Sequence, residues 1–159
     1  MDVKRSVTIV LPDDADLRAT VAAFQRVQQE LTEPCYHDGQ PLNALTLHHA
    51  MYSSVAGTLN SQMTCSAIRL TAGAYASARS NGRPANRPFR FRHARALFLV
   101  GTRGRDADFR ADGTFSIWTV AGRKRISYQV PEAFQQTLAC AKEIDSLTVI
   151  ERMADCWAG

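Results

Sequence analysis

The chain has 159 residues, of which 45% are hydrophobic and 21% are charged. This composition predicts one folded domain or two small lobes and excludes disorder throughout. No apolar run reaches the roughly 18–20 residues that a transmembrane helix needs, and the first residues lack the apolar segment of a secretory signal. We therefore expect a cytoplasmic protein without a membrane partner. The four cysteines (Cys35, Cys65, Cys140 and Cys156) include no Cys-x-x-Cys pair, which indicates reduced thiols.

Charge is distributed unevenly along the chain. Thirteen of the 19 Lys and Arg residues lie between Arg69 and Arg125, where there are only three acidic residues, so this segment carries a charge of +10. The rest of the chain carries −6, which leaves the overall charge of +4. Most of the basic residues are Arg, whose planar guanidinium group suits contacts with phosphates. The clustering predicts a basic surface that binds a polyanion.

The first part of the chain predicts a strand followed by a helix. Apolar residues alternate from Val3 to Leu11, which is typical of a half-buried strand that Pro12 ends. Three aspartates follow at positions that favour the N-terminus of a helix. An apolar stripe at helical spacing continues this helix, which we expect to end near Pro34. Residues 35–41 are expected to form a loop.

Residues 44–80 have a helical pattern again. One face is apolar and consists of Leu59, Met63, Ala67, Leu70 and Ala74. The opposite face is small and polar and includes Ser61, Gln62, Cys65, Ser66 and Arg69. This polar face is either solvated, as on most helices, or it contacts a ligand, because it leads directly into the basic segment.

The second half of the chain predicts strands. Residues 81–88 have the composition of a linker, after which the apolar period changes from helical spacing to two. Strands are expected at 95–100, 114–120, 125–130 and 146–151, with a hairpin at Asp112-Gly113 and a short helix at 131–140. The order of elements predicts an α+β fold, a small β-barrel with a helical lobe inserted after its first strand.

No residue pattern predicts catalysis or metal binding. Two-metal nuclease chemistry needs several converging carboxylates, and the acidic residues here are scattered along the chain. His48 and His49 are neighbours on a helix and point about 100° apart, so they do not chelate together. No Gly-x-Ser-x-Gly motif frames a nucleophile. We expect no catalytic residue, no metal ligand and no cofactor in this chain.

Three basic motifs are candidates for phosphate contacts. Phe89-Arg90-Phe91-Arg92, if extended as a strand, places both rings towards the core and both guanidinium groups outside. Gly101-Thr102-Arg103-Gly104 matches the Gly-x-x-Gly of KH domains, although it follows a strand and is then simply a basic turn. Gly122-Arg123-Lys124-Arg125 predicts a tight turn with three cations. With the linker, these motifs define the candidate set Arg83, Arg87, Arg90, Arg92, Arg103, Arg105, Arg123, Lys124 and Arg125.

Several of these residues carry a resemblance to a known family. Residues 59–63 (LNSQM) followed by 74–79 (AYASAR) are similar to the helix of TnpB, the OrfB-type insertion-sequence proteins related to type V CRISPR effector nucleases. Residues 88–92 (PFRFR) resemble the "P-x-F" segment of the family, and 119–123 (TVAGR) resemble its "strand-turn-G-R". Residues 146–150 (SLTVI) together with Trp157 resemble the end of the same half of these proteins.

The resemblance implies a wedge β-barrel at 1–12 and 84–159, interrupted by a helical recognition lobe at 13–83. It implies that a guide RNA is held by the candidate set of basic residues. It also implies that Ser61, Gln62, Cys65, Ser66 and Arg69 lie near duplex DNA beside the target. The RuvC-like nuclease half of the family has no counterpart in this sequence, so DNA cutting is not implied, and Mg²⁺ is expected only with a RuvC-like partner chain.

Three functions remain open at this point. The chain is a nucleic-acid-binding module, or a component of an RNA-guided endonuclease that a separate RuvC-like chain completes, or a transposon remnant without function. The sequence favours the first of these.

Overall fold

The computed structural model describes residues 3–37, 39–101, 105–110 and 112–151. Within these residues, four helices and five strands make up a mixed α+β fold, which confirms the predicted class. The elements are α1 (Ala15–Tyr36), α2 (Ala44–Val55), α3 (Ser61–Ser80), β1 (Arg95–Leu99), β2 (Ala107–Phe109), β3 (Thr114–Thr119), β4 (Gly122–Ser127), α4 (Glu132–Ala139) and β5 (Ser146–Ile150).

The three long helices begin at side-chain caps. Asp14, Asn43 and Asn60 each accept the backbone N–H three residues further on, at 2.9 Å, at the starts of α1, α2 and α3. Such caps satisfy N–H groups that have no partner within the helix. The helical pattern at 44–80 forms two helices, because the chain turns at 56–60, where Gly57 has a φ of +98°. Helix α1 continues past Pro34 to Tyr36, two residues beyond its expected end.

The strands form two antiparallel sheets. One pairs β1 with β5, with Arg95 opposite Ile150, and the other has the order β2-β3-β4. Two isolated bridges, Val100 with Ala107 and Val10 with Gln129, extend the pairing beyond the regular strands. Over the described residues the two sheets do not close into a barrel.

The strand predicted at residues 3–11 is wrong. In this segment only Val10 pairs, in its bridge with Gln129, and Val3 and Val10 are 70% and 53% exposed. An alternating apolar pattern forms a strand only where a continuous partner ladder is available, and here a single position finds one. The short strand β2 was not predicted.

Helix α1 lies at the centre of the fold. It packs against α2, α3, β1 and β3, and its apolar stripe, including Phe24 and Leu31, is fully buried as the sequence predicts. Phe98 of β1 and Phe115 of β3 belong to the same core cluster. None of the helices in the described part of the chain has an apolar stretch long enough to span a bilayer.

Candidate nucleic-acid interface

A run of exposed arginines follows the end of α3. We call residues 83–95 the basic strap; its arginines are Arg83, Arg87, Arg90, Arg92 and Arg95, and all five are exposed. Between Asp38 and Asp106 the sequence has nine Arg and no acidic residue. Among the residues that the structure describes, none of the strap arginines takes part in an ion pair. The positive charge of the strap is therefore not neutralised from within its own segment.

The strap is tied to the helices by a closed ring of hydrogen bonds. The Phe89 N–H donates to the Tyr75 hydroxyl at 2.9 Å, and the Thr32 hydroxyl donates to the Phe89 carbonyl at 2.9 Å. The Tyr75 and Thr32 hydroxyls are 2.6 Å apart, and Tyr75 also reaches the Thr32 carbonyl at 3.0 Å. Since both side chains are about 1% exposed, the ring lies out of water, where such bonds reinforce one another. The Phe89 ring stacks on Tyr75 with a centroid distance of 4.4 Å.

Two glutamines of α1 repeat this arrangement at Phe91. Gln29 Oε1 accepts the Phe91 N–H at 3.0 Å, and Gln25 Nε2 donates to the Phe91 carbonyl at 2.6 Å. Gln25, Gln29 and Thr32 are spaced at i, i+4 and i+7 and so lie along one face of α1. The side chains on this face form hydrogen bonds with the backbone of residues 89 and 91, which a neighbouring strand would form in a sheet.

The alternation expected for residues 89–92 is confirmed, and their predicted strand is wrong. Phe89 and Phe91 are half-buried, and Phe89 packs against the core, whereas Arg90 and Arg92 are exposed. The segment is extended but irregular, because side chains and not a second backbone supply its hydrogen-bond partners. The chain thus presents two guanidinium groups from an anchored backbone.

The basic motif at 122–125 is part of a strand and not a turn, which corrects the sequence prediction. The hairpin turn is at Val120 and Ala121, and Arg123, Lys124 and Arg125 lie in β4. Alternation along the strand exposes Arg123 and Arg125 on the outer face and turns Lys124 to the inner face towards α1. Arg123 and Arg125 are therefore the more exposed of the three cations, and Lys124 is half-buried.

Lys124 joins β4 to the start of α1. Its Nζ lies 2.6 Å from Asp14 Oδ2 and 3.1 Å from Asp16 Oδ2. Hydrogen bonds from Lys124 and from the Leu17 N–H hold the pKa of Asp14 below its ordinary value. The same pairing raises the pKa of Lys124. Lys124 therefore has a structural partner in the fold, which the sequence prediction of a freely exposed cation missed.

Arg123 is held in place over an exposed tryptophan. Its Nε donates to Ser116 Oγ at 2.6 Å, and a terminal nitrogen donates to the Arg105 carbonyl at 2.9 Å. The guanidinium carbon lies 5.9 Å from the ring centroid of Trp118, close enough for a cation–π contact. Trp118 itself is 37% exposed. Arg103, another predicted RNA contact, lies outside the described residues.

The polar face predicted on α3 is only partly exposed. Ser61 and Arg69 are exposed, Gln62 and Cys65 are half-buried, and Ser66 is completely buried. The expected exposure of Ser66 is wrong because α3 is covered by α1 and α2 on one side and by β1 on another, so its buried surface is wider than one apolar stripe. Leu70, assigned to the apolar face, is 41% exposed.

A buried carboxylate lies close to the N-terminus of α3. Asp106 is 1% exposed, and its Oδ2 accepts the Leu99 N–H at 3.0 Å. Burial raises the pKa of Asp106, although the Leu99 N–H and the Asn60 amide act in the opposite direction. Sequence analysis counted this residue among the acids of the basic segment and missed its burial.

The residues that anchor the strap were also missed. Thr32 lies in no motif, and Tyr75 lies in the segment 74–79 that resembles TnpB but was given no role there. Their contacts join positions 14 to 57 residues apart. In the sequence, the polar stripe of Gln25, Gln29 and Thr32 along one face of α1 could have indicated that this face forms hydrogen bonds with another segment.

In the described part of the chain, no three His, Cys, Asp or Glu side chains lie together in a way that could hold a metal ion. No protein-family model, curated protein or solved structure matches the chain.

Proposed function

We propose that this chain binds single-stranded nucleic acid, in the first place RNA, through the basic strap. The observation that carries the proposal is the anchored backbone of residues 89–92, which presents Arg90 and Arg92 to solvent without acidic neighbours in sequence. Phosphate contacts depend on such cations, and each one releases condensed counterions from the nucleic acid. Fixing the backbone beforehand reduces the entropy that is lost on binding.

The exposed arginines of β4, together with Arg105 just before β2, extend this surface. Arg105, Arg123 and Arg125 are exposed, whereas Lys124 is engaged by Asp14 and Asp16. The proposed contact surface is therefore the strap with these three arginines. Lys124 supports it indirectly, by attaching β4 to α1.

A narrower form of the proposal follows from the resemblance to TnpB proteins. In this form the RNA is a guide RNA, the chain acts in the cytoplasm, and it is the wedge and recognition half of such a protein. The two sheets and the bridges at Val10 and Val100 would then correspond to an incompletely paired wedge barrel. The motifs of residues 59–63, 74–79 and 88–92 support this form. Sequencing the RNA that co-purifies with the chain tests it, and a random sample of cellular RNA would contradict it.

Contact with duplex DNA is proposed for a reduced set of α3 residues. Arg69 and Ser61 are exposed, and Gln62 and Cys65 are half-buried, whereas the buried Ser66 is not part of the proposed set. Arg and Gln can each form bidentate contacts with base edges. The form in which a separate RuvC-like chain completes an endonuclease is tested by adding such a chain with Mg²⁺ and target DNA.

The main experiment measures RNA affinity across a salt titration for the wild type and for the Arg90→Ala/Arg92→Ala double variant. Each phosphate contact with single strands contributes roughly −0.7 to the slope of log affinity against log salt. Removing two contacts should therefore make the slope shallower by about 1.4. Arg5→Ala/Arg26→Ala is the matched control, because it removes the same charge from exposed positions outside the basic segment that form no ion pair among the described residues.

The proposal fails if the affinity of the wild type does not change with salt. It also fails if the strap variant and the control variant lose affinity equally, because the effect would then reflect net charge alone.

A further inference from the structure

The sheet formed by β2, β3 and β4 has one covered face and one open face. On the inner face, Lys124 reaches the aspartates of α1, and Phe115 and Ile117 are fully buried. On the outer face, Trp118 is 37% exposed and lies opposite Arg123 in the antiparallel register. A large aromatic side chain is thus left exposed beside a cation.

The surroundings of Trp118 are rigid. Arg123 has two hydrogen bonds, to Ser116 Oγ and to the Arg105 carbonyl, which hold its guanidinium group over the ring, 5.9 Å from the centroid. The Trp118 N–H is bonded to the Asp106 carbonyl at 2.9 Å, which anchors the backbone at the same point. Val120, at the adjacent turn, is 44% exposed and continues the apolar surface.

The charge near Trp118 is positive. Arg105 and Arg123 are both exposed there, and Asp106, whose backbone pairs with Trp118, has a buried side chain. The other two acids of this region, Asp108 and Asp112, lie towards Arg125. Asp108 is opposite Ser116, which is itself opposite Arg125. Hydrogen bonds from Thr114 lower the pKa of Asp112, and the charge of Arg125 adds to this effect.

We propose that the outer face around Trp118 is a stacking site for an unpaired base of single-stranded nucleic acid, with Arg123 and Arg105 contacting the adjacent phosphates. The combination of an exposed ring with fixed cations is what non-specific single-strand binding uses, because every base has a face that can stack. A base in a duplex is already stacked on its neighbours and is not available to Trp118. This inference rests on the proposed function and adds a second, chemically different contact to it.

The test uses Trp118 as its own reporter. The sequence contains two tryptophans, Trp118 and Trp157, so the Trp157→Phe variant of the full chain leaves Trp118 as the single tryptophan. The probes are an oligouridylate of about 12 nucleotides, a length within the range that single-strand-binding modules cover, and a duplex of equal length. We expect the single strand to quench Trp118 fluorescence and the duplex to leave it unchanged.

Affinity measurements complete the test. Trp118→Leu should weaken single-strand binding about tenfold, which is within the range for the loss of one stacked base. Trp118→Phe should recover most of the loss, because it restores an aromatic ring. Val120→Ala is the control for loss of apolar surface without loss of a ring. If Trp118→Leu does not fold, the fluorescence result decides the question alone.

The outcomes separate the two proposals. If RNA binds with the expected salt dependence but neither quenches Trp118 nor responds to Trp118→Leu, the stacking site is wrong and the strap proposal stands. If no nucleic acid binds, both proposals are wrong. A change in Trp118 fluorescence with protein concentration alone would assign the face to a second copy of the chain and overturn the stacking site.

Discussion

Replacing Tyr75 by Phe removes one buried hydroxyl from the ring of hydrogen bonds that anchors the strap. In the wild type this hydroxyl accepts the Phe89 N–H and contacts Thr32. Phenylalanine fills the same space apart from one oxygen, so loss of packing is small. The main consequence is an N–H group of Phe89 without its partner.

The size of the effect follows from that unpaired group. A buried polar group that loses its partner costs about 1–3 kcal/mol, so we expect Tyr75→Phe to lower the free energy of unfolding by about 2 kcal/mol. For a chain of this length the loss corresponds to a fall of roughly 4–8 °C in Tm. Urea titration followed by circular dichroism measures the first quantity, with an unchanged m-value if both states keep their compactness.

Tyr52→Phe is the matched control. Tyr52 is half-buried and stacks on His48 at 4.7 Å, but its hydroxyl has no hydrogen-bond partner among the described residues. The control should change stability by no more than about 0.5 kcal/mol. Equal effects of the two substitutions would refute the role of the ring.

A double-mutant cycle isolates the ring itself. Thr32→Val removes the second hydroxyl with little change of shape, and the two substitutions should be non-additive by about 1 kcal/mol or more, as expected for residues of one network.

The same variants connect stability to binding. If the ring orders Arg90 and Arg92, folded Tyr75→Phe protein should bind RNA more weakly than folded Tyr52→Phe protein.

Two further predictions concern ionisable groups. Lys124→Met should reduce the dependence of stability on pH in acid. The lowered pKa of Asp14 contributes stability that is present above its unfolded pKa of about 4 and is lost as the pH falls through the folded pKa. An unchanged pH profile of unfolding would contradict the ion pair. Asp106→Asn should act in the opposite sense. Because burial raises the pKa of Asp106, the wild type loses stability as the pH rises from the unfolded pKa of about 4 towards the higher folded pKa. The variant should therefore gain on the wild type as the pH rises through that range. Thermal unfolding across that range checks this prediction, and a gain that shrinks with rising pH would contradict it.

Local features of the candidate site could be predicted from the sequence. The alternation of residues 89–92 placed the phenylalanines inwards and the arginines outwards, and the structure agrees. The buried stripe of α1 and the helical character of residues 44–80 also follow from apolar spacing, whereas the division of these residues into α2 and α3 was not predicted. These features depend on residues a few positions apart, whose relative directions are set by backbone geometry alone.

The sequence did not predict which distant segments of the chain contact each other. The sequence around Lys124 predicts an exposed cation, but Lys124 forms ion pairs with Asp14 and Asp16, which lie about 110 positions away in the chain. Ser66 lies on a face that is polar in sequence, and it is buried because β1 packs there. The N-terminal segment has the alternation of a strand and lacks a partner strand for most of its length.

The sequence by itself determined the fold class, the start of α1 and the concentration of positive charge between Arg69 and Arg125. These depend on local propensity, on capping and on composition, and all three act without reference to distant residues. Only the tertiary structure decided which cations remain free and how the strap is held. The ring of Thr32, Tyr75 and Phe89 and the pairing of Lys124 both join segments far apart in the chain, and neither segment alone carries information about the contact that folding brings about.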